Sequence, residues 1–176
     1  SQKNSLKRLL NKSNRPVFLI GHGVRLAGGM NNFLKTLKKF KIPSVFTWNA
    51  MDMLKYDHEF NFGRPGVVAQ RFSNFVVQNS DLLISVGCRI DNVITAFNQK
   101  KFAPYAKKVI VDIDNNEFKK FKFKIQSKFN FDAKNFFEQF LKIKFTGHKK
   151  FKKWHNKCLH WKKNFSFDKE IESKKV

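Results

Sequence analysis

GRPGVVAQRFSNFVVQNSDLLISVGCRID, residues 63–91, is the stretch that decides the fold. Its second half holds LLISVG (82–87), an almost wholly apolar run closed by glycine. A strand with one wet face alternates apolar and polar residues, whereas a continuous run marks a strand buried on both faces, as in a parallel sheet. Residues 67–79 ahead of it read as a helix, and Asp81 is expected to cap the turn between the two.

The same grammar extends outward in both directions. Arg15-Pro16 launches VFLIG (17–21), IPSVFT (42–47) is a shorter strand, and KVIVDID (108–114) is a fourth with carboxylates at its C-terminal end. Residues 121–131 hold a fifth, less regular strand. Met30, Phe33, Leu34, Leu37 and Phe40 form one stripe of a helix over 27–41, and Asp132 stands as the cap of a helix running through Leu141. Residues 48–65 read as irregular, and 88–105 as looser chain with helical character. Strands alternating with helices at this spacing imply an α/β, Rossmann-like fold: a parallel sheet with helices on both faces. Right-handed crossovers put the loops after the strands along one edge, where such folds bind ligands.

The two ends differ from this core. Leu6, Leu9 and Leu10 have helical spacing, so residues 1–14 read as the end of a preceding helix or linker. The domain proper is expected over 15–145, followed at 146–176 by a Lys-rich, helical linker toward a further domain. In that extension Phe151, Trp154, Cys158 and Trp161 share one face, and residues 168–176 are expected to fray.

Composition narrows the function classes. The net charge is +23, and residues 118–176 carry 18 Lys and 5 acids but no Arg. Nucleic-acid readers rely on Arg for bidentate and stacking contacts, so this pattern reads as a solvated surface without specific nucleic-acid recognition. No apolar run approaches the ~18 residues that a membrane span needs, and SQKNSLKRLL has no apolar signal region. No membrane partner is expected, and Cys88 and Cys158, far apart in sequence, read as reduced thiols in a cytoplasmic protein.

Candidate sites fall at the strand ends. Gly21-His22-Gly23 can bare the backbone for a phosphate or simply turn tightly. Gly63-Arg64-Pro65-Gly66 holds an arginine at a defined place, either as a turn or facing a phosphate or carboxylate. Gly87-Cys88-Arg89-Ile90-Asp91 and Asp112-Ile113-Asp114 offer acids for ribose hydroxyls and an arginine for phosphate; an Arg–Asp pair bridging loops is the plainer alternative. His22, His58, His148, His155 and His160 are scattered and form no metal-ligand spacing, and no nucleophile–histidine arrangement can be assembled.

Read together, RPVFLIGHGVRLAG, IPSVFTWNAMDML, GRPGVVAQRFSNFVVQNSDLLISVGCRID and FAPYAKKVIVDIDNNE resemble, in that order and spacing, the central domain of thiamine-diphosphate-dependent enzymes. The acetolactate synthase-like branch is nearest, and the match covers roughly residues 15–141. The resemblance implies a DHS-like NAD/FAD-binding type fold within a three-domain parent that makes or breaks a carbon–carbon bond beside a carbonyl. It implies a small 2-oxo acid substrate, the parent's remaining domains as partners, and a homo-oligomer. Thiamine diphosphate and magnesium are expected on domains absent from this sequence, which contains no Gly-Asp-Gly and supplies no catalytic residue.

Where family members hold FAD, the resemblance carries the contacts to Gly21, His22, Gly23, Thr47, Gly63, Arg64, Gly66, Gly87, Arg89, Asp91, Asp112 and Ile113. The departures disfavour FAD here. His22 adds bulk at the first turn, and Trp48-Asn49-Ala50 stands for a Leu-Met-Gly type stretch. Arg64-Pro65 replaces the Met-His type pair of acetolactate synthases. Two readings of other classes remain: a stand-alone NAD/FAD-type nucleotide-binding module, and a polyanion-binding basic protein.

Overall fold

The computed structural model describes residues 2–172. Its elements are α1 (Gln2–Lys12), β1 (Pro16–Ile20), α2 (Gly23–Leu26), α3 (Met30–Phe40), β2 (Ser44–Phe46), α4 (Arg71–Gln78), β3 (Leu82–Val86), β4 (Lys107–Asp112), β5 (Ser127–Asn130), α5 (Ala133–Leu141), α6 (Lys152–Asn164) and α7 (Phe167–Glu172). The five strands form one parallel sheet in the order β2-β1-β3-β4-β5. Outside β2, residues 60–63 run alongside as a rudimentary sixth row: Ser44 N donates to Phe60 O, Phe62 N to Ser44 O and Phe46 N to Gly63 O, at 2.8–3.0 Å. With that row the sheet has the spatial order 3-2-1-4-5-6 of doubly wound dinucleotide folds, and its direction of winding reverses between β1 and β3.

Successive residues of a strand point to opposite faces, and the core divides accordingly. Phe18 and Ile20 of β1, Ile84 of β3 and Val111 of β4 face α1, α3 and α5, whose Leu10, Phe33, Phe40, Phe137 and Phe140 cover them. Phe18 lies edge-on or tilted to Phe33, Phe137 and Phe140 at centroid distances of 5.5–6.4 Å. Val17, Leu19, Leu83 and Ile110 face the other way, under α4 and α6. Burial on both sides is why LLISV carries no alternation. As the chemistry of buried strands requires, helices cover both faces.

Differences from the sequence reading have local causes. The expected helix over 27–41 begins only at Met30, because Gly28 takes φ +65° and the chain before it makes the separate α2. Leu34, placed on the apolar stripe, is 40 % exposed. The helix expected over 67–79 shortens to α4, since Gly66 at φ +125° is clasped by Asn74, whose side chain both donates to and accepts from the Gly66 backbone. Asp81, expected to cap the turn into β3, makes a longer-range tie. It accepts from Ser13 Oγ and from the amides of Asn14 and Arg15, tying the entry of β1 to that of β3. Residues 91–98 form turns with Ala96 and Phe97 both at positive φ.

Both ends are packed against the sheet. Leu6, Leu9 and Leu10 of α1 are buried. On α6, Trp154 is 3 % exposed and its Nε1 donates to Pro16 O at 3.1 Å; Cys158 is fully buried. His155 Nε2 donates to Glu59 O at 2.8 Å, and Lys162 Nζ to Asn61 O at 2.8 Å and to Tyr56 O. Residues 173–176, part of the stretch expected to fray, lie outside the described residues. Among those described, no helix is long and apolar enough to cross a membrane.

Candidate functional site

A cavity of about 660 Å³ opens at the C-terminal ends of β1, β3 and β4, where the winding of the sheet reverses. This is the crevice in which open α/β sheets bind ligands. The structure brings His22, Gly23, Thr47, Gly87, Arg89, Asp91, Asp112 and Ile113 to its wall. Gly63 and Arg64 line a separate 460 Å³ cavity, and Gly66 lines neither.

The glycine turns pack on each other. A Cβ on Gly21 would lie 2.0 Å from Gly87 O and 2.4 Å from Cys88 Cα, and one on Gly23 would lie 2.8 Å from Gly87 Cα. The amides there are engaged: Gly21 N donates to Val86 O, Gly23 N to Gly87 O and Gly87 N to Val111 O, each at 3.0 Å. These glycines let the loops after β1 and β3 touch, and their amides are not available to a ligand phosphate. The tight-turn reading describes them better than the phosphate-cradle one.

Three further side chains hold loops. His22 Nδ1 donates to Asn49 O at 2.7 Å and pins the turn at residues 48–50 over the cavity. Arg64 stacks on the Trp48 ring, its guanidinium carbon 4.0 Å from the centroid, with Nη1 2.9 Å from Met51 Sδ and Nε donating to Val68 O. The arginine thus brackets two loops against an indole, and among the described residues it pairs with no carboxylate. The alternative of an Arg–Asp pair bridging these loops is not formed among the described residues: Arg89 is exposed, and Asp91 caps its own turn by accepting from Ile94 N at 2.9 Å.

The cavity is acidic in a strongly basic chain. Asp91, Asp112, Asp114, Glu117 and Asp132 line it, five of the 13 acids, against His22 and Arg89. Burial pushes the Asp112 carboxyl above its ordinary range, and the neighbouring Glu117 and Asp114 carboxylates add to the shift, partly offset by the Asp114 amide at 2.9 Å. Burial likewise drives the Cys88 thiol far up, so it is a packed group rather than a nucleophile. Glu117 and Asp132 escaped the sequence reading as site residues. Asp132 had been read only as a helix cap, which it is, accepting from Lys134 N and Asn135 N; its place directly after β5 was the signal. Glu117 had no such signal, since the short turn over 115–119 brings it in. Among the described residues, no group of His, Cys, Asp and Glu is arranged to hold a metal ion.

Comparison with known proteins places this arrangement. The family described as the thiamine pyrophosphate enzyme, central domain, matches residues 4–140. A probable acetolactate synthase large subunit of Methanocaldococcus jannaschii is 34 % identical over 110 residues, 62 % of this chain and 18 % of that protein. The acetolactate synthase isozyme 2 large subunit of Escherichia coli is 32 % identical over 114 residues, 65 % of this chain and 21 % of its own length. A 3D-(3,5/4)-trihydroxycyclohexane-1,2-dione hydrolase of Geobacillus thermodenitrificans is 30 % identical over 92 residues, 52 % of this chain and 14 % of that enzyme. The chain thus spans about a fifth of the length of the two synthase subunits. With a family match over most of its length and the parallel sheet to accompany it, the chain belongs to the family of thiamine pyrophosphate enzyme central domains.

Proposed function

We propose that this chain serves as the middle domain of an acetolactate synthase-like enzyme that acts on small 2-oxo acids in the cytoplasm and joins or cleaves a carbon–carbon bond beside a carbonyl. The observation that carries this reading is the family match over residues 4–140 together with relatives named as acetolactate synthase large subunits. Thiamine diphosphate supplies such enzymes with an electron sink for carbanion chemistry. The residues here do not fit that cofactor: the sequence has no Gly-Asp-Gly to hold magnesium and diphosphate, and the cavity is lined by carboxylates. Those tasks belong, in this reading, to other domains of a longer, homo-oligomeric parent, and the 15–145 core supplies scaffold and contacts. The chain alone is expected to give only background acetolactate when incubated with pyruvate, thiamine diphosphate and magnesium. Turnover that survives repurification would overturn the assignment.

The cavity residues also fit FAD poorly. A dinucleotide's diphosphate needs free amides or cations, whereas the amides of Gly21, Gly23 and Gly87 are engaged and five carboxylates face the space. Trp48 and the arginine stacked on it stand beside the mouth. Purified protein is expected to be colourless and to bind FAD no tighter than about millimolar, roughly −4 kcal/mol, by equilibrium dialysis with flavin fluorescence. If the indole is the main obstacle, Trp48→Leu improves binding and Arg64→Met matters less. Stoichiometric flavin in the purified protein would refute this.

A further inference from the structure

We propose that the chain carries a second site, for a compact diphosphate-type anion, in a lysine-lined cavity on the edge of the sheet opposite the acidic one. The cavity measures about 410 Å³ and is walled by Lys107 and Lys108 at the start of β4, Lys100 from the turn at 99–101, and Lys122, Phe123 and Lys124 from the chain leading into β5. Lys122 N donates to Gln99 Oε1 at 2.8 Å, which ties two of these segments together. Among the described residues, no carboxylate lines this space.

One of the five ammonium groups is not a surface charge. Lys108 is only 6 % exposed; its Nζ donates to Ala103 O at 2.8 Å and Ala106 O at 3.4 Å and lies 5.1 Å from the centre of the Phe123 ring. Neither carbonyl neutralises it, and burial lowers its pKa below the ordinary lysine value. A buried cation without a counter-charge is costly, and four more lysines around the same space add repulsion. Those costs turn into affinity when a ligand of two or more negative charges enters, because a concave low-dielectric wall concentrates the field. Lysine offers point charges rather than a planar fork, which suits the many oxygens of a phosphate chain without demanding one orientation. Free pyrophosphate and the diphosphate of a nucleotide share the required chemistry.

Calorimetric titration of the chain with pyrophosphate, and in parallel with ADP, at about 50 mM salt tests the site. One-to-one saturable binding is expected. Lys122→Gln with Lys124→Gln, both at exposed positions where the fold tolerates the change, should weaken it at least about tenfold. A control pair, Lys149→Gln with Lys153→Gln, removes the same charge elsewhere and should leave affinity within about twofold. Equal affinities for the two ligands assign the site to the diphosphate alone, and ADP at least about tenfold tighter assigns it to a nucleotide. Absence of saturable heat with either ligand, or equal weakening by both pairs of substitutions, would overturn the proposal.

Discussion

Replacing Gly21 with alanine is expected to abolish cooperative unfolding of the chain or to cost more than about 4 kcal/mol, a loss in the exceptional tail of single substitutions. The added Cβ would sit 2.0 Å from Gly87 O and 2.4 Å from Cys88 Cα, and both obstacles are backbone. A side chain can rotate out of the way; here the loop after β3 must move, and with it the hydrogen bond from Gly21 N to Val86 O that joins two central strands. Gly28→Ala separates this steric effect from the conformational one. Gly28 has φ +65° but nothing within 4 Å of a built Cβ, so its substitution should cost only about 1 kcal/mol. Thermal unfolding followed by circular dichroism checks both variants. A Gly21→Ala protein that melts within a few degrees of the parent would show that the two loops are not locked together.

Trp154→Ala is expected to lower stability by about 3–5 kcal/mol, which for a chain of this size lowers the melting temperature by roughly 6–20 °C. The indole is nearly fully buried against the face of the sheet that carries Val17 and Leu19, and it also loses the Nε1 bond to Pro16 O. Trp161, half-buried on the same helix and edge-on to Trp154 at 5.7 Å, provides the comparison: its replacement should cost about 1 kcal/mol. The contrast bears on where the domain ends. A true linker would tolerate Trp154→Ala as readily as any surface change, so near-equal melting temperatures for the two variants would return α6 to the status of an appended segment.

The strands were legible because burial on both faces removes alternation, and that depends only on neighbours in sequence. VFLI, LLIS and VIVD needed no tertiary information. Helix ends were less legible, because they turn on backbone angles at Gly28 and Gly66 and on a side-chain clasp by Asn74, none of which leaves a periodic signal. The site was legible in position and not in use. A glycine or acid directly after an apolar run marks the ligand edge of such a sheet, and most of the residues so marked do line the cavity. Whether an amide there is free, however, depends on a loop more than sixty residues away, as Gly23 and Gly87 show. The same holds for Arg64, whose stacking partner, Trp48, lies on another loop.

The contacts of α6 have a consequence for how the molecule behaves at high concentration. In the outermost row of the sheet, residues 60–63, the Asn61 carbonyl accepts from Lys162, and in the loop before it the Tyr56 and Glu59 carbonyls accept from Lys162 and His155. An open strand edge is a template on which a second chain can build a cross-molecular ladder, and proteins commonly blunt such edges with lysine or with a covering helix. Here one helix does both: it packs over the sheet, and its Lys162 and His155 side chains occupy acceptors that a stray strand would otherwise seek. Lys162 thereby helps to guard this edge of the sheet against self-association.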